Sequence, residues 1–128
     1  MLCNFMKLQP ASNNQKNIFT AYGEGYVEIK AQRFSTNLIL LPEQLITGWT
    51  AHQFAELTMQ DMQALAALEA EIILLGTGQQ LRFPPPELMQ PFMQIRKGLE
   101  VMDLSAACRT YNILLDEGRK VAAALLFD

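Results

Sequence analysis

Reactive side chains are scarce in this chain: one histidine and two cysteines among 128 residues. That excludes a zinc site of the usual kind, which takes about four nitrogen or sulfur ligands. Cys3 and Cys108 lie far apart. A disulfide framework is therefore not expected, and a reducing compartment is the simpler inference. Basic excess is also lacking, with 10 Lys and Arg against 13 Asp and Glu and a net charge of −3. A nucleic-acid module that grips phosphates needs the opposite balance. No apolar run approaches the ~20 residues of a spanning helix. The longest late run, Val121 to Phe127, has only strand length. The opening residues, Met1 to Phe5, are too short for a signal core and lack a basic lead-in. These absences predict a cytoplasmic protein with no nucleic-acid partner, no direct membrane span and no metal.

What is present fits one globular domain. Half of the residues are apolar and 18% are charged, a folded and not a disordered profile. A chain of this length buries roughly two-thirds of its unfolded surface. Residues 1–5 read as an extension before a start at Met6, and residues 6–128 as the domain itself.

The N-terminal half carries β-patterns. Ile18 to Tyr22 reads as a short strand, and Gly23-Glu24-Gly25 as a turn that tolerates positive φ. Tyr26 to Lys30 alternates, with Val27 and Ile29 on one face. Arg33 to Leu41 reads as one longer strand whose Leu38-Ile39-Leu40-Leu41 end is apolar on both faces. Pro42 stops it, and Leu45 to Trp49 forms another short strand.

The C-terminal half alternates helix and strand. Thr58 and Asp61 are spaced as a capping box, with Leu57 and Met62 as a staple across it, for a helix from Met59 to about Glu69. Glu71 to Leu75 reads as a buried strand ending in Gly76-Thr77-Gly78. Pro84-Pro85-Pro86 leads into a helix carrying Leu88, Phe92 and Ile95, kinked at Pro91 or regular only from there. Gly98 suits its C-cap. Leu99 to Met102 is a strand, Asp103 caps a helix from Leu104 to about Glu117, and Val121 to Phe127 is the last strand. Alternating strands and helices imply right-handed crossovers and a parallel segment of sheet.

Few residues invite chemistry. Gly76-Thr77-Gly78 sits where open α/β sheets bind ligands, beyond a strand's carboxyl end. Its glycines allow close backbone approach and its N–H groups suit an anion, yet it lacks the third glycine of a dinucleotide fingerprint and the lysine of a phosphate loop. A tight turn is the plainer reading. Arg82 follows this loop. Arg109 stands beside Thr110 and one turn before Asn112, where its guanidinium suits a carboxylate, a phosphate or a partner's backbone. A local pair with Asp116 is the alternative. Gly76, Thr77, Gly78, Arg82, Arg109, Thr110 and Asn112 are thus the candidate binding residues. Cys108 falls on the apolar stripe of its helix with Leu104, Ala107, Tyr111 and Leu115, a core position and not a nucleophile's. His52 has no nucleophile marked around it, and no catalytic residue is assigned.

The ordered series Glu71-Ile72-Ile73-Leu74-Leu75-Gly76-Thr77-Gly78, Arg82-Phe83-Pro84-Pro85, Glu100-Val101-Met102-Asp103, Ala107-Cys108-Arg109-Thr110-Tyr111-Asn112 and Glu117-Gly118-Arg119 resembles a small domain family. That family includes the mitochondrial complex I assembly factor 3 and the adipogenesis-associated domain protein. Thr20 to Tyr26 is similar to the family's opening hairpin, and the resemblance runs from about Met6 to Phe127. It implies a single α/β domain: a central mixed sheet with a parallel C-terminal segment, helices on one face and a smaller β layer from the N-terminal half. It implies no established reaction and no cofactor. The function expected is therefore that of a non-enzymatic binding module with a protein partner, an assembly helper for respiratory or other membrane-protein complexes. The alternative is a small-molecule or anion binder at Gly76-Thr77-Gly78 and the helix carrying Arg109. Weak homo-oligomerisation through a β-edge or a methionine surface is compatible with either.

Overall fold

The structure, a computed structural model, describes residues 16–95 and 97–128. The expected extension at residues 1–5 lies outside the described residues. Among the described residues a hairpin meander comes first: β1 (Ala21–Gly23), β2 (Tyr26–Ile29) and β3 (Gln32–Phe34), all antiparallel. The main sheet follows with β4 (Leu38–Leu41) and β5 (Gln44–Thr47). Helix α1 (Met59–Ala66) precedes β6 (Ile72–Thr77), α2 (Gln90–Ile95), β7 (Gly98–Met102), α3 (Leu104–Asp116) and β8 (Val121–Leu126). The main sheet runs β5-β4-β8-β6-β7. Its first three strands pair antiparallel, and β6 is parallel to both β8 and β7.

Alternation on the central strands divides the core into two layers. Leu38, Leu40, Leu74, Val121, Ala123 and Leu125 face Val27, Ile29 and helix α3. Ile39, Leu41, Ile73, Leu75, Ala122, Ala124 and Leu126 face α1 and Phe92 of α2. The mixed sheet and the smaller β layer are as expected, but only α1 and α2 share a face. Helix α3 shares the opposite face with the small sheet. Handedness is the reason: β6 to β7 steps outward in the sheet and β7 to β8 steps back across β6. Right-handed crossovers in opposite directions put their helices on opposite faces.

Several boundaries differ from the sequence reading, each for a local reason. The expected strand Arg33–Leu41 is two strands in two sheets, broken at residues 35–37. Asn37 pins the crossing: its Nδ2 donates to the carbonyls of Thr50 and His52, and its Oδ1 accepts the Phe127 N–H. Pairing in β1 starts at Ala21 and not Ile18, because Phe19 spends its N–H and carbonyl on the Asn112 side chain. Helix α1 stops at Ala66, where the Lys97 ammonium donates to the carbonyls of Ala66 and Leu68. Gly98 opens β7 and caps no helix. Lys30 and Ala31 turn between β2 and β3 with φ of 51° and 65°, the conformation of a tight hairpin turn taken here without glycine.

The Thr58–Asp61 capping box is present in full, with Leu57 and Met62 buried in one cluster. Helix α2 is regular from Gln90, after a 3-10 turn over Pro86–Met89. Asp103 caps α3 through the Ala106 N–H at 2.8 Å. Tyr111 donates to the Asn17 carbonyl at 3.0 Å, and its ring meets Phe19 edge-on.

Gly76 lies inside β6, opposite Leu125 of β8. A Cβ there would stand 2.8 Å from Leu125 Cδ2, 3.1 Å from Ala107 Cβ and 3.3 Å from the Leu104 backbone. Its role is to let the start of α3 lie close on the sheet. Gly76→Ala is expected to lose about 1–3 kcal/mol of stability by overpacking, read as a lower urea midpoint at unchanged slope.

Candidate functional site

The parallel strands β6, β7 and β8 end on the same side of the sheet. There the chain forms a cleft of about 630 Å³, bordered by Gly78, Gln79, Gln80, Arg82, Asp103, Leu104, Ser105, Phe127 and Asp128. The β1–β2 turn, Gly23-Glu24-Gly25, closes its other side. The position follows from topology. Connections from β6 and β7 leave to opposite faces, and a crevice opens where they part.

The turn that follows β6 is built on Thr77, the last residue of the strand. Its buried hydroxyl donates to the Gln80 carbonyl at 2.6 Å and accepts the Arg82 N–H at 3.1 Å. Gly78 takes φ of 82°, and its carbonyl accepts the Leu104 N–H at 2.7 Å. A Cβ at Gly78 would run into the Asp128 carbonyl oxygen, so glycine is needed for both conformation and space.

Arg82 folds back over this turn. Its Nη2 donates to the Thr77 carbonyl at 2.7 Å. The guanidinium carbon sits 4.6 Å above the Phe54 ring, within cation–π range. Nη1 lies 3.3 Å from Asp128 Oδ2. The Asp128 carboxylate also accepts the Phe54 N–H, at 3.2 and 3.3 Å. The guanidinium charge is thus balanced inside the chain. At the start of α3 the Ala106 N–H is likewise satisfied by Asp103.

The seven candidate residues do not meet in one place. Gly78 and Arg82 border the cleft, whereas Gly76 and Thr77 belong to the strand and do not. Arg109 is exposed on the second turn of α3, one turn beyond Ser105. Thr110 is half-buried, and Asn112 is committed to the Phe19 backbone. Asp128, Asp103, Glu24 and Ser105 complete the cleft. Of these, only Asp103 carried a sequence signal, as a cap. Asp128 and Phe54, 74 positions apart, share no local pattern.

A second polar group surrounds His52. Its Nδ1 lies 2.9 Å from Asp61 Oδ2 and 3.1 Å from Thr50 Oγ. Carboxylate and hydroxyl therefore share one ring nitrogen. A nucleophile relay needs them on different nitrogens, so the cluster reads as structural. It ties the loop before α1 to the capping box. Burial acts to raise the Asp61 pKa, but the Thr58 backbone N–H and the His52, Thr50 and Thr58 side chains outweigh it and hold it below the ordinary value.

Cys108 is fully buried, and burial pushes its thiol up to about 12 against a small opposing pull from Arg109. Among the described residues no His, Cys, Asp and Glu group forms a metal site, and no helix is long and apolar enough to cross a membrane.

Fold and site together define a doubly wound mixed α/β domain with its cleft at the strand ends. The chain belongs to the family described as "Protein of unknown function (DUF498/DUF598)", whose model matches residues 19–126. The "13 kDa major membrane protein" of Francisella tularensis is 26% identical over 94% of this chain and 99% of its own length. The mouse "NADH dehydrogenase (ubiquinone) 1 alpha subcomplex assembly factor 3" is 33% identical over 69% of this chain. This chain spans about half of that relative, 48% of its length. A crystal structure from Bordetella parapertussis superposes with a TM-score of 0.82 at 40% identity, covering 93% of this chain and all of that one. The resemblance read from the sequence motifs is thereby established.

Two outcomes follow from the polar and thiol groups. Cys108 should stay unmodified by iodoacetamide at neutral pH in the folded protein and label only in denaturant, as intact mass would show. Asp61→Asn should cost about 1 kcal/mol near neutral pH, mainly through the capping box. Because the folded-state pKa is lowered, the native carboxylate's contribution is complete above the unfolded value of about 3.9 and fades as pH falls through the folded one. The gap in melting temperature between variant and native protein should therefore narrow in acid.

Proposed function

We propose that this domain is a non-enzymatic binding module that helps assemble a multi-subunit membrane-protein complex. The observation that carries this reading is where its apolar surface lies. Six large apolar side chains are exposed among the described residues, and four of them (Leu81, Phe83, Met93 and Ile95) come from the single crossover between β6 and β7. Phe83 is 69% exposed and Met93 75%. Large apolar side chains left exposed together on one segment suit a binding surface. Aromatic residues and methionine are also the types enriched in interfaces. The mouse relative's name, an assembly factor of the NADH dehydrogenase alpha subcomplex, supports the same reading.

In this reading the partner is a subunit of a respiratory or similar complex. The domain works from the cytoplasm and touches the membrane only through that partner. Its β6–β7 crossover docks, while the sheet behind it stays rigid.

The test is a tagged native chain compared with the Phe83→Ser, Met93→Ser double variant. Both positions are exposed, so stability should change by no more than about 0.5 kcal/mol per site. The native chain is expected to recover subunits of a membrane-bound respiratory complex, and the variant to recover them at background level. Equal recovery by both proteins would remove the crossover as the contact.

A further inference from the structure

The segment after β8 separates two clefts. Phe127 and Asp128 border both the 630 Å³ cleft and a neighbouring one of about 350 Å³. The second is edged by His52 and by the polar side chains of Ser35, Thr36, Asn37 and Gln53. Asp128 is thus a partition, and its hold on the site is loose. Its side chain accepts from Arg82 Nη1 at 3.3 Å and from the Phe54 N–H at 3.2 and 3.3 Å, and its carbonyl accepts from Arg82 Nη2 at 3.4 Å. Charge-assisted contacts close to about 2.7–2.9 Å where geometry allows. One carboxylate is stretched here between a guanidinium and a backbone donor and satisfies neither well.

Arg82 does not depend on Asp128 for its position. The 2.7 Å bond to the Thr77 carbonyl and the Phe54 ring set it from other directions. Its Nε is buried without an acceptor. A guanidinium placed by the scaffold, whose Nη1 meets only a loosely held carboxylate at 3.3 Å, is built as an anchor for a carboxylate.

We infer that Arg82 anchors a carboxylate-binding site in this cleft and that the Asp128 side chain occupies it as an internal competitor. The ligand's carboxylate takes the place of the Asp128 side chain on Arg82 and the Phe54 N–H. Glu24 and Asp103, which border the same cleft, set the rest of its chemistry. They repel a polyanion and attract an ammonium or hydroxyl donor. The matching class is a small monocarboxylate that carries an amino or hydroxyl group, in the manner of an amino acid. Gly78 and Gly25 present only backbone to it. This site is independent of the β6–β7 docking surface, so either can fail alone.

The probe is L-serine, which carries a carboxylate, an ammonium and a hydroxyl, followed by amide chemical shifts. Asp128→Asn removes the side-chain charge that competes and keeps the side chain's size. An exposed ion pair holds its closed form only a few-fold over the open one, so the variant is expected to saturate at about fivefold lower L-serine than the native chain. The Phe54, Gly78 and Arg82 amides should report it. Adding Arg82→Gln should abolish the saturable shifts. Should Asp128→Asn unfold, Asp128→Ala provides the same comparison. Equal saturation in the native chain and the variant would overturn the competitor role. Absence of saturable shifts in the Asp128→Asn variant, or shifts that survive Arg82→Gln, would overturn the site.

Discussion

Burial of β8 on both faces is the constraint on which the rest of this domain depends. All six of its residues, Val121 to Leu126, are fully buried. The strand stands at the centre of the sheet, antiparallel to β4 and parallel to β6. It therefore joins the hairpin half of the chain to the crossover half. Its three alanines keep the sheet thin at the centre, and α3 lies close on one side of it. The other layers follow from this. Odd-numbered residues of β8 face α3 and the small sheet, and even-numbered ones face α1 and α2. Each helix has a fixed surface to cover.

The cleft inherits its shape from the same centre. Gly76 admits the first turn of α3, Gly78 turns the chain away from β6, and residues after β8 close the gap between them. The electrostatics of this end are balanced almost entirely within the chain. Asp103 serves the N–H groups of α3, Asp128 serves Arg82, and Asp61 serves its own helix and His52. At this end of the sheet the pairing of Arg82 with Asp128 combines long distances with partial exposure, at 32% and 19% of the two side chains. It is the weak point in an otherwise satisfied polar frame, and weakness there is what lets a ligand compete. The β6–β7 crossover differs in kind, since its exposed groups are apolar and gain from a partner and not from an ion.

Strong local patterns were legible in the chain. The Thr58–Asp61 box, the Asp103 cap and the apolar stripe through Cys108 and Tyr111 all rest on contacts within a few residues, which spacing reveals. The apolar run Leu38–Leu41 showed burial on both faces because no polar residue interrupts it. Strand ends were less legible. Ile18 and Phe19 have strand composition, yet the Asn112 side chain 93 positions away takes the Phe19 backbone groups. The break at residues 35–37 likewise depends on Asn37 reaching Thr50, His52 and Phe127. Gly98 has the composition of a helix cap but pairs beside Ile72.

The candidate site divides along the same line. Residue type picked out Arg82 and Gly78, because a guanidinium and a glycine after a strand are chemically specific signals. It also picked out Arg109 and Asn112, which have the same local merit but stand elsewhere on α3. The amino-acid sequence by itself determined the family, the alternation that makes two core layers, the caps, and the absence of a zinc set or a spanning run. Only the tertiary structure decided that α3 crosses to the other face, that Asp128 reaches Arg82 and Phe54, and that His52 meets Asp61. The physical reason is range: caps and periodicity are written in neighbours three or four residues apart, whereas the cleft is written in contacts between strand ends that only sheet order brings together.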